Sequence, residues 1–210
     1  TRPTPPQFSG SWEGGKPDVI ATVTTPYLLE ASAEKGHDVF RNLVIHVPLE
    51  TTRYVKTVEF LPGTAPIHHA VIRIDRSGES RRQDGKDGKP GFDGMTSVEV
   101  QNPSGHFIGW APGRGPIAAP AGMPWRIEPG TDLVVELHLL PGKLPIPVAP
   151  QVGLFLTDEA PVQTPVMVTM GSRAIDIPAG QQEYPITDSY VLPGDRSEEH
   201  TSELQSRFGI

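Results

Sequence analysis

Short stretches of this chain alternate apolar and polar residues, and proline and glycine punctuate them. Residues 54–60 (YVKTVEF) are the clearest case. Tyr54, Lys56, Val58 and Phe60 fall on one face, and Val55, Thr57 and Glu59 on the other. That is the period of two expected of a β-strand. The same reading predicts strands at residues 18–24, 27–31, 40–47, 68–74, 107–110, 125–127, 133–139 and 151–156. Two later ones fall at 166–169 and 184–192. No stretch carries the 3.6-residue period of an amphipathic helix, and no internal repeat is visible.

Composition agrees with this pattern. The 24 prolines and 22 glycines are poorly tolerated inside helices and suit many short strands joined by turns. The spacing of the strands predicts an all-β fold, an antiparallel sandwich of the jelly-roll type. Residues 1–17 (TRPTPPQFSGSWEGGKP) read as a flexible linker. Residues 75–95 read as a long, solvated, mobile polar loop. Asp84, Asp87 and Asp93 there could cradle a cation but lack EF-hand spacing. Residues 112–124 form a Pro/Gly connector. Its Gly113-Arg114-Gly115 loosely resembles a dinucleotide-binding turn, but Pro116, Pro120 and the missing βαβ context exclude one.

Charge and cysteine content narrow the chemistry. The formal charge is −7, and no basic patch points to nucleic acid as a partner. There are no cysteines, which removes disulfides, thiolate metal sites and thiol catalysis. No apolar run is long enough to span a membrane, and no signal peptide is recognisable. The chain opens Thr1-Arg2-Pro3 without a methionine and reads as a mature product or a fragment. No nucleophile elbow, phosphate-binding loop or His-Glu-x-x-His motif occurs. Glu59 and Glu136 lie in predicted strands, but nothing selects them as a glycosidase pair.

The histidines carry the most chemistry. His68 and His69 open an apolar strand, and His138 ends another, 69 positions after His69. Neighbours on a regular strand point to opposite faces, so His68 and His69 can share a metal only if the strand bulges or terminates there. Three imidazoles without a thiolate suit copper or zinc. The same residues also read as a polar pair and a satisfied core histidine. His46 reads as structural, His37 as a loop residue, and His106 as a turn residue or an extra group near a metal.

As a set, several segments resemble a known family. They are VKTVEFLPGTAPIHHAVIRID (55–75), GWAPG (109–113), PAGMPWRIEPGTDLVVELHLLPGK (120–143), VGLFL (152–156) and SRAIDIPAGQQEYPITDSYVLPGD (172–195). The chain is similar over residues 15–195 to the copper type II, ascorbate-dependent monooxygenases of the peptidylglycine α-hydroxylating type, in their bacterial multidomain form. The resemblance implies two jelly-roll domains, each with one copper. The first, residues 18–165 here, would hold an electron-transfer copper on His68, His69 and His138. Residues 166–195 would begin a truncated second domain, whose copper activates O₂ to hydroxylate a substrate C–H bond. That second site is not identifiable here, and Met95, Met123, Met167 and Met170 are not candidates for its methionine ligand. No catalytic residue is assigned, and the fragment is expected to be inactive alone.

The resemblance also implies a periplasmic or secreted location, a one-electron reductant such as ascorbate, and an upstream redox module in the full-length chain. Leu139 and Leu140 follow His138 where relatives often carry an aromatic residue. Residues 196–206 (RSEEHTSELQS) resemble a translated sequencing adapter, and residues 196–210 read as a non-native tail that removes His200 from any site. The rival reading is a non-catalytic jelly-roll module that binds a metal or another ligand, with Trp12, Trp110 and Trp125 lining a surface.

Overall fold

The computed structural model describes residues 11–32, 38–63, 66–94, 108–163, 175–189 and 191. Two compact units divide the chain, Thr1–Met167 and Val168–Ile210. In the first, twelve strands and one short helix are described: β1 (Val19–Thr22), β2 (Tyr27–Leu29), β3 (Val39–His46), β4 (Arg53–Leu61), β5 (Ile67–Asp75), α1 (Glu79–Gln83), β6 (Phe92–Asp93), β7 (Gly109–Trp110), β8 (Ile117–Ala118), β9 (Trp125–Ile127), β10 (Asp132–Leu139), β11 (Ile146–Val148) and β12 (Gln151–Thr157). All pairings are antiparallel.

One sheet runs β1-β12-β4-β8, with β9 also on β4. A second runs β6-β3-β10-β5-β7, and β11 pairs with β2. Leu43, Ile45, Ile72, Leu133, Val135 and Leu137 of the second sheet share one apolar cluster with Val55, Val58, Phe60, Val152 and Leu154 of the first. This is the sandwich expected of short alternating strands, each burying one face.

The alternation of β4 is not unbroken. Phe155 pairs with Thr57 but Leu156 pairs with Val55, so Lys56 is an extra residue. This bulge brings Val55 to the same buried side as Val58 and Phe60, which strict alternation had placed on opposite faces. The carbonyl of Lys56 accepts the N–H of Ala119 at 2.8 Å.

Residues 75–94 are anchored, contrary to the mobile loop expected from their polarity. Asp75 is fully buried. Its Oδ1 accepts from the N–H and hydroxyl of Ser77 and the N–H of Gly78, and its Oδ2 from the N–H and hydroxyl of Ser80. Further along, the buried Arg41 guanidinium binds Asp87 and the carbonyls of Lys89 and Pro90, and lies over the Tyr27 ring. Gly91 has φ 79°, and a Cβ there would meet the carbonyl oxygen of Asn42 at 2.1 Å. Only glycine lets the segment lie this close to β3. Asp87 is taken by Arg41, and Asp84 accepts the N–H of Gly91 at 2.6 Å, so these carboxylates brace the loop instead of facing a common cation.

Of the proline-rich lead-in, residues 11–17 are described. Glu59 accepts the N–H groups of Glu13 and Gly14 at 2.7 and 3.0 Å, which fastens this stretch to β4. In the second unit, residues 175–189 and 191 carry no strand, although 184–192 was expected to form one. Ile175, Ile177, Tyr184, Ile186 and Val191 are exposed, so the alternation buries no apolar face among the described residues, and a strand without a neighbour leaves its backbone groups unpaired. Residues 166–169 and the adapter-like stretch lie outside the described residues.

Two stability predictions follow. Leu137 is wholly buried at the centre of the core, so Leu137→Ala should lower unfolding free energy in urea by about 2–5 kcal/mol. Burial opposes charge on Asp75, but the Ser77 and Ser80 hydrogen bonds outweigh it and hold its pKa down at about 2. A carboxylate depressed in the fold stabilises above its unfolded pKa and loses that contribution as pH falls through the folded value. Asp75 should therefore contribute on the order of 2 kcal/mol at neutral pH, lost between about pH 4 and pH 2. Ser80→Ala should shrink that acid-dependent component in denaturation measured across this range.

Candidate metal centre

The second sheet brings the three chosen histidines together. β10 lies between β3 and β5, and His138 pairs with Phe40 on one side and His69 on the other. Residues directly opposite in antiparallel strands project from the same face. On β10, Leu133, Val135, Leu137 and Leu139 enter the core. Val134, Glu136 and His138 alternate with them and project from the outer face, as does His69 beside His138.

His68 joins them through a bulge. His138 pairs with His69, but Leu139 pairs with Ile67, leaving His68 without a partner on β10. Ile67 and Ala70 are both buried, although they are three apart and a regular strand would oppose them. The extra residue resets the alternation, and His68 turns out to the exposed side next to His69. The bulge that sequence reasoning required for a shared metal is present.

The nitrogens converge. His69 Nδ1 lies 3.2 Å from His68 Nδ1 and 3.2 Å from His138 Nδ1. One ligand nitrogen from each of the three rings lies within 4.8 Å of the others. The rings meet edge to face, with interplanar angles of 66°, 69° and 75°. His68 is exposed, while His69 and His138 are half-buried. Phe40 stacks on His138 with centroids 4.6 Å apart and planes 13° from parallel, which limits rotation of that ring.

Electrostatics favour a neutral, ligating His69. Burial lowers the pKa of His69, and positive charge on His138 or His68 would lower it further, while Glu136 opposes both. A deprotonated ring is the form that binds a metal. Glu136 is paired with Arg73 at 2.7 Å, so the donor set here is three nitrogens. It can hold a metal ion, and among the described residues no other group of this kind occurs.

The remaining candidates fall elsewhere. His46 is at the other end of β3, with Nδ1 3.1 Å from Asp132, a structural contact as expected. His37, His106 and His200 lie outside the described residues. Glu59 and Glu136 sit on different sheets, each already engaged, and form no acid pair. Sequence reasoning missed Phe40. Its aromatic ring in a predicted strand was visible, but the register that sets it against His138 was not.

Comparison of the chain with protein-family models, with curated proteins and with solved structures gives no match.

The site should bind one zinc or copper ion per chain in equilibrium titration. His68→Ala, His69→Ala and His138→Ala should each weaken binding by more than the roughly 10–100-fold that loss of an outer hydrogen-bond partner costs. Binding unchanged in all three variants would exclude the trio as the ligand set.

Proposed function

We propose that the Thr1–Met167 unit is the electron-transfer copper domain of an ascorbate-dependent copper monooxygenase, with His68, His69 and His138 as the ligands. The carrying observation is the bulge at His68, which turns two sequence neighbours toward one point, where a third imidazole arrives from the adjacent strand. The motif resemblance of residues 55–75 and 120–143 supports the choice of copper and of the reaction class.

The donor chemistry fits copper. Imidazole is acceptable to both Cu(I) and Cu(II), whereas thiolates or several carboxylates would favour one state or a different metal. Copper held there supplies one-electron redox chemistry. The protein's part is to keep the shell in place: the bulge orients His68, the β10 register places His138, and Phe40 restrains its ring. Exposed His68 leaves an edge of the site open to a reductant. In this reading, hydroxylation of a substrate C–H bond belongs to a second copper centre, and the protein works outside the cytoplasm. Among the described residues no helix is long and apolar enough to cross a membrane.

The rival reading, a ligand-binding module with a tryptophan-lined surface, has less support. Trp110 and Trp125 are buried, and Trp12 is half-buried beside Gly153.

The test is redox titration of the copper-loaded chain. One Cu(II) per chain should give an electron paramagnetic resonance signal with nitrogen coupling. Ascorbate should abolish that signal without releasing the ion, and reoxidation should restore it. Release of copper on reduction, or a preference for zinc over both copper states, would defeat the electron-storage reading.

A further inference from the structure

The His138 ring has a second nitrogen, and its surroundings are unusual. Nε2 is buried and has no well-aligned hydrogen bond. The Asp38 carboxylate nevertheless approaches it, with Oδ2 at 2.9 Å. The distance is that of a charge-assisted hydrogen bond, and the missing element is alignment. His138 is 11 % exposed at its side chain and Asp38 is 42 % exposed. The ring stacks on Phe40 and meets His69 edge to face, while the carboxylate stands at the solvent edge.

We infer that Asp38 is a positioning residue for the metal site, which accepts the Nε2–H of His138 and so keeps the Nδ1 lone pair directed at the ion. The chemistry follows from the two nitrogens of a neutral imidazole. One carries the proton and the other is the ligand, and the hydrogen bond made by the first selects which. Nδ1 of His138 faces His69 Nδ1 at 3.2 Å, so the proton belongs on Nε2. A buried N–H with no acceptor is costly, and Asp38 is the charged group placed to receive it. The carboxylate also makes the imidazole a stronger donor. Asp38 lies one residue before β3, whose pairing with β10 sets Phe40 against His138. The same strand therefore delivers the ring that stacks on His138 and the carboxylate that orients it. Both act through His138.

This inference rests on the metal-site reading of the three histidines, and its first test needs no metal. Long-range proton–nitrogen NMR correlations in the metal-free chain, at a pH where the imidazole is neutral, report the tautomer of His138. The wild type should show the Nε2–H form, and Asp38→Ala should shift His138 toward a mixture with the Nδ1–H form. Asp158→Ala removes an exposed carboxylate that pairs with Arg53 and should leave the tautomer unchanged.

The second test is copper affinity by competition titration of the same proteins. Asp38→Ala should weaken binding by about 10–100-fold. Asp38→Asn, which keeps an acceptor but loses the charge, should fall between it and the wild type. The reduction potential should rise in both variants, because losing a nearby negative charge disfavours Cu(II) more than Cu(I). An unchanged tautomer with affinity equal to that of Asp158→Ala would overturn the role of Asp38. A tautomer that shifts as expected in Asp38→Ala, when the wild type binds no copper, would uphold Asp38 as the group that orients His138 and reject the copper reading.

Discussion

A single inserted residue in β5 governs the candidate site. Without a bulge, His68 would point into the sandwich beside Ala70, where an imidazole would need a buried partner, and His69 alone would face His138. With it, Ile67 enters the core at the position that alternation would deny it, and His68 is released to the surface next to His69. The bulge leaves His68 without a partner on β10, close to the end of the strand. The adjacent buried residues, Ile67 below and Ala70 above, hold the bulge in register through the hydrophobic effect. The geometry of the candidate site is therefore secured by the apolar core on the opposite side of the same sheet.

The second sheet also distributes polar groups in a consistent way. Its inner face is mostly aliphatic, with Trp110 and, opposite Leu137, Arg41 as the exceptions, and its outer face carries most of the other charged residues. Along β10 the outward positions are Val134, Glu136 and His138. Val134 packs with Phe92 under the loop that follows α1, Glu136 pairs with Arg73, and His138 joins the histidine trio. At the opposite end, Asp132 is buried and binds both His46 and Arg81. Glu136 and Asp132 thus each have a defined cation to hold. That arrangement leaves three imidazole nitrogens as the donor set and favours a borderline metal over a hard one.

The loop after β5 is the clearest case where polarity misled. Asp, Gly, Lys and Ser in a run of this length ordinarily signal solvated chain. Here the carboxylates are spent internally. Asp75 caps the start of α1, Asp84 holds Gly91, and Asp87 neutralises the buried Arg41. Such partnerships depend on groups far away in the chain, and local composition does not record them.

Most strands were legible because alternation and proline–glycine punctuation are local properties. Residues 125–127 match β9 in full, and 133–139 match β10 to within one residue. The short strands β6, β8 and β11 were not legible: β6 lies in the polar run 75–95, β8 in the Pro/Gly connector, and β11 carries Pro147 at its centre. The identity of the candidate ligands could be read from residue type and from the adjacency of His68 and His69, together with the condition that the strand must bulge. Whether it does so was decided by tertiary structure. The pairing of β5 with β10 selects the register, and burial of both Ile67 and Ala70 makes the extra residue the lower-energy arrangement. Phe40 and Asp38 were beyond the sequence for the same reason: strand order, not chain order, makes them neighbours of His138.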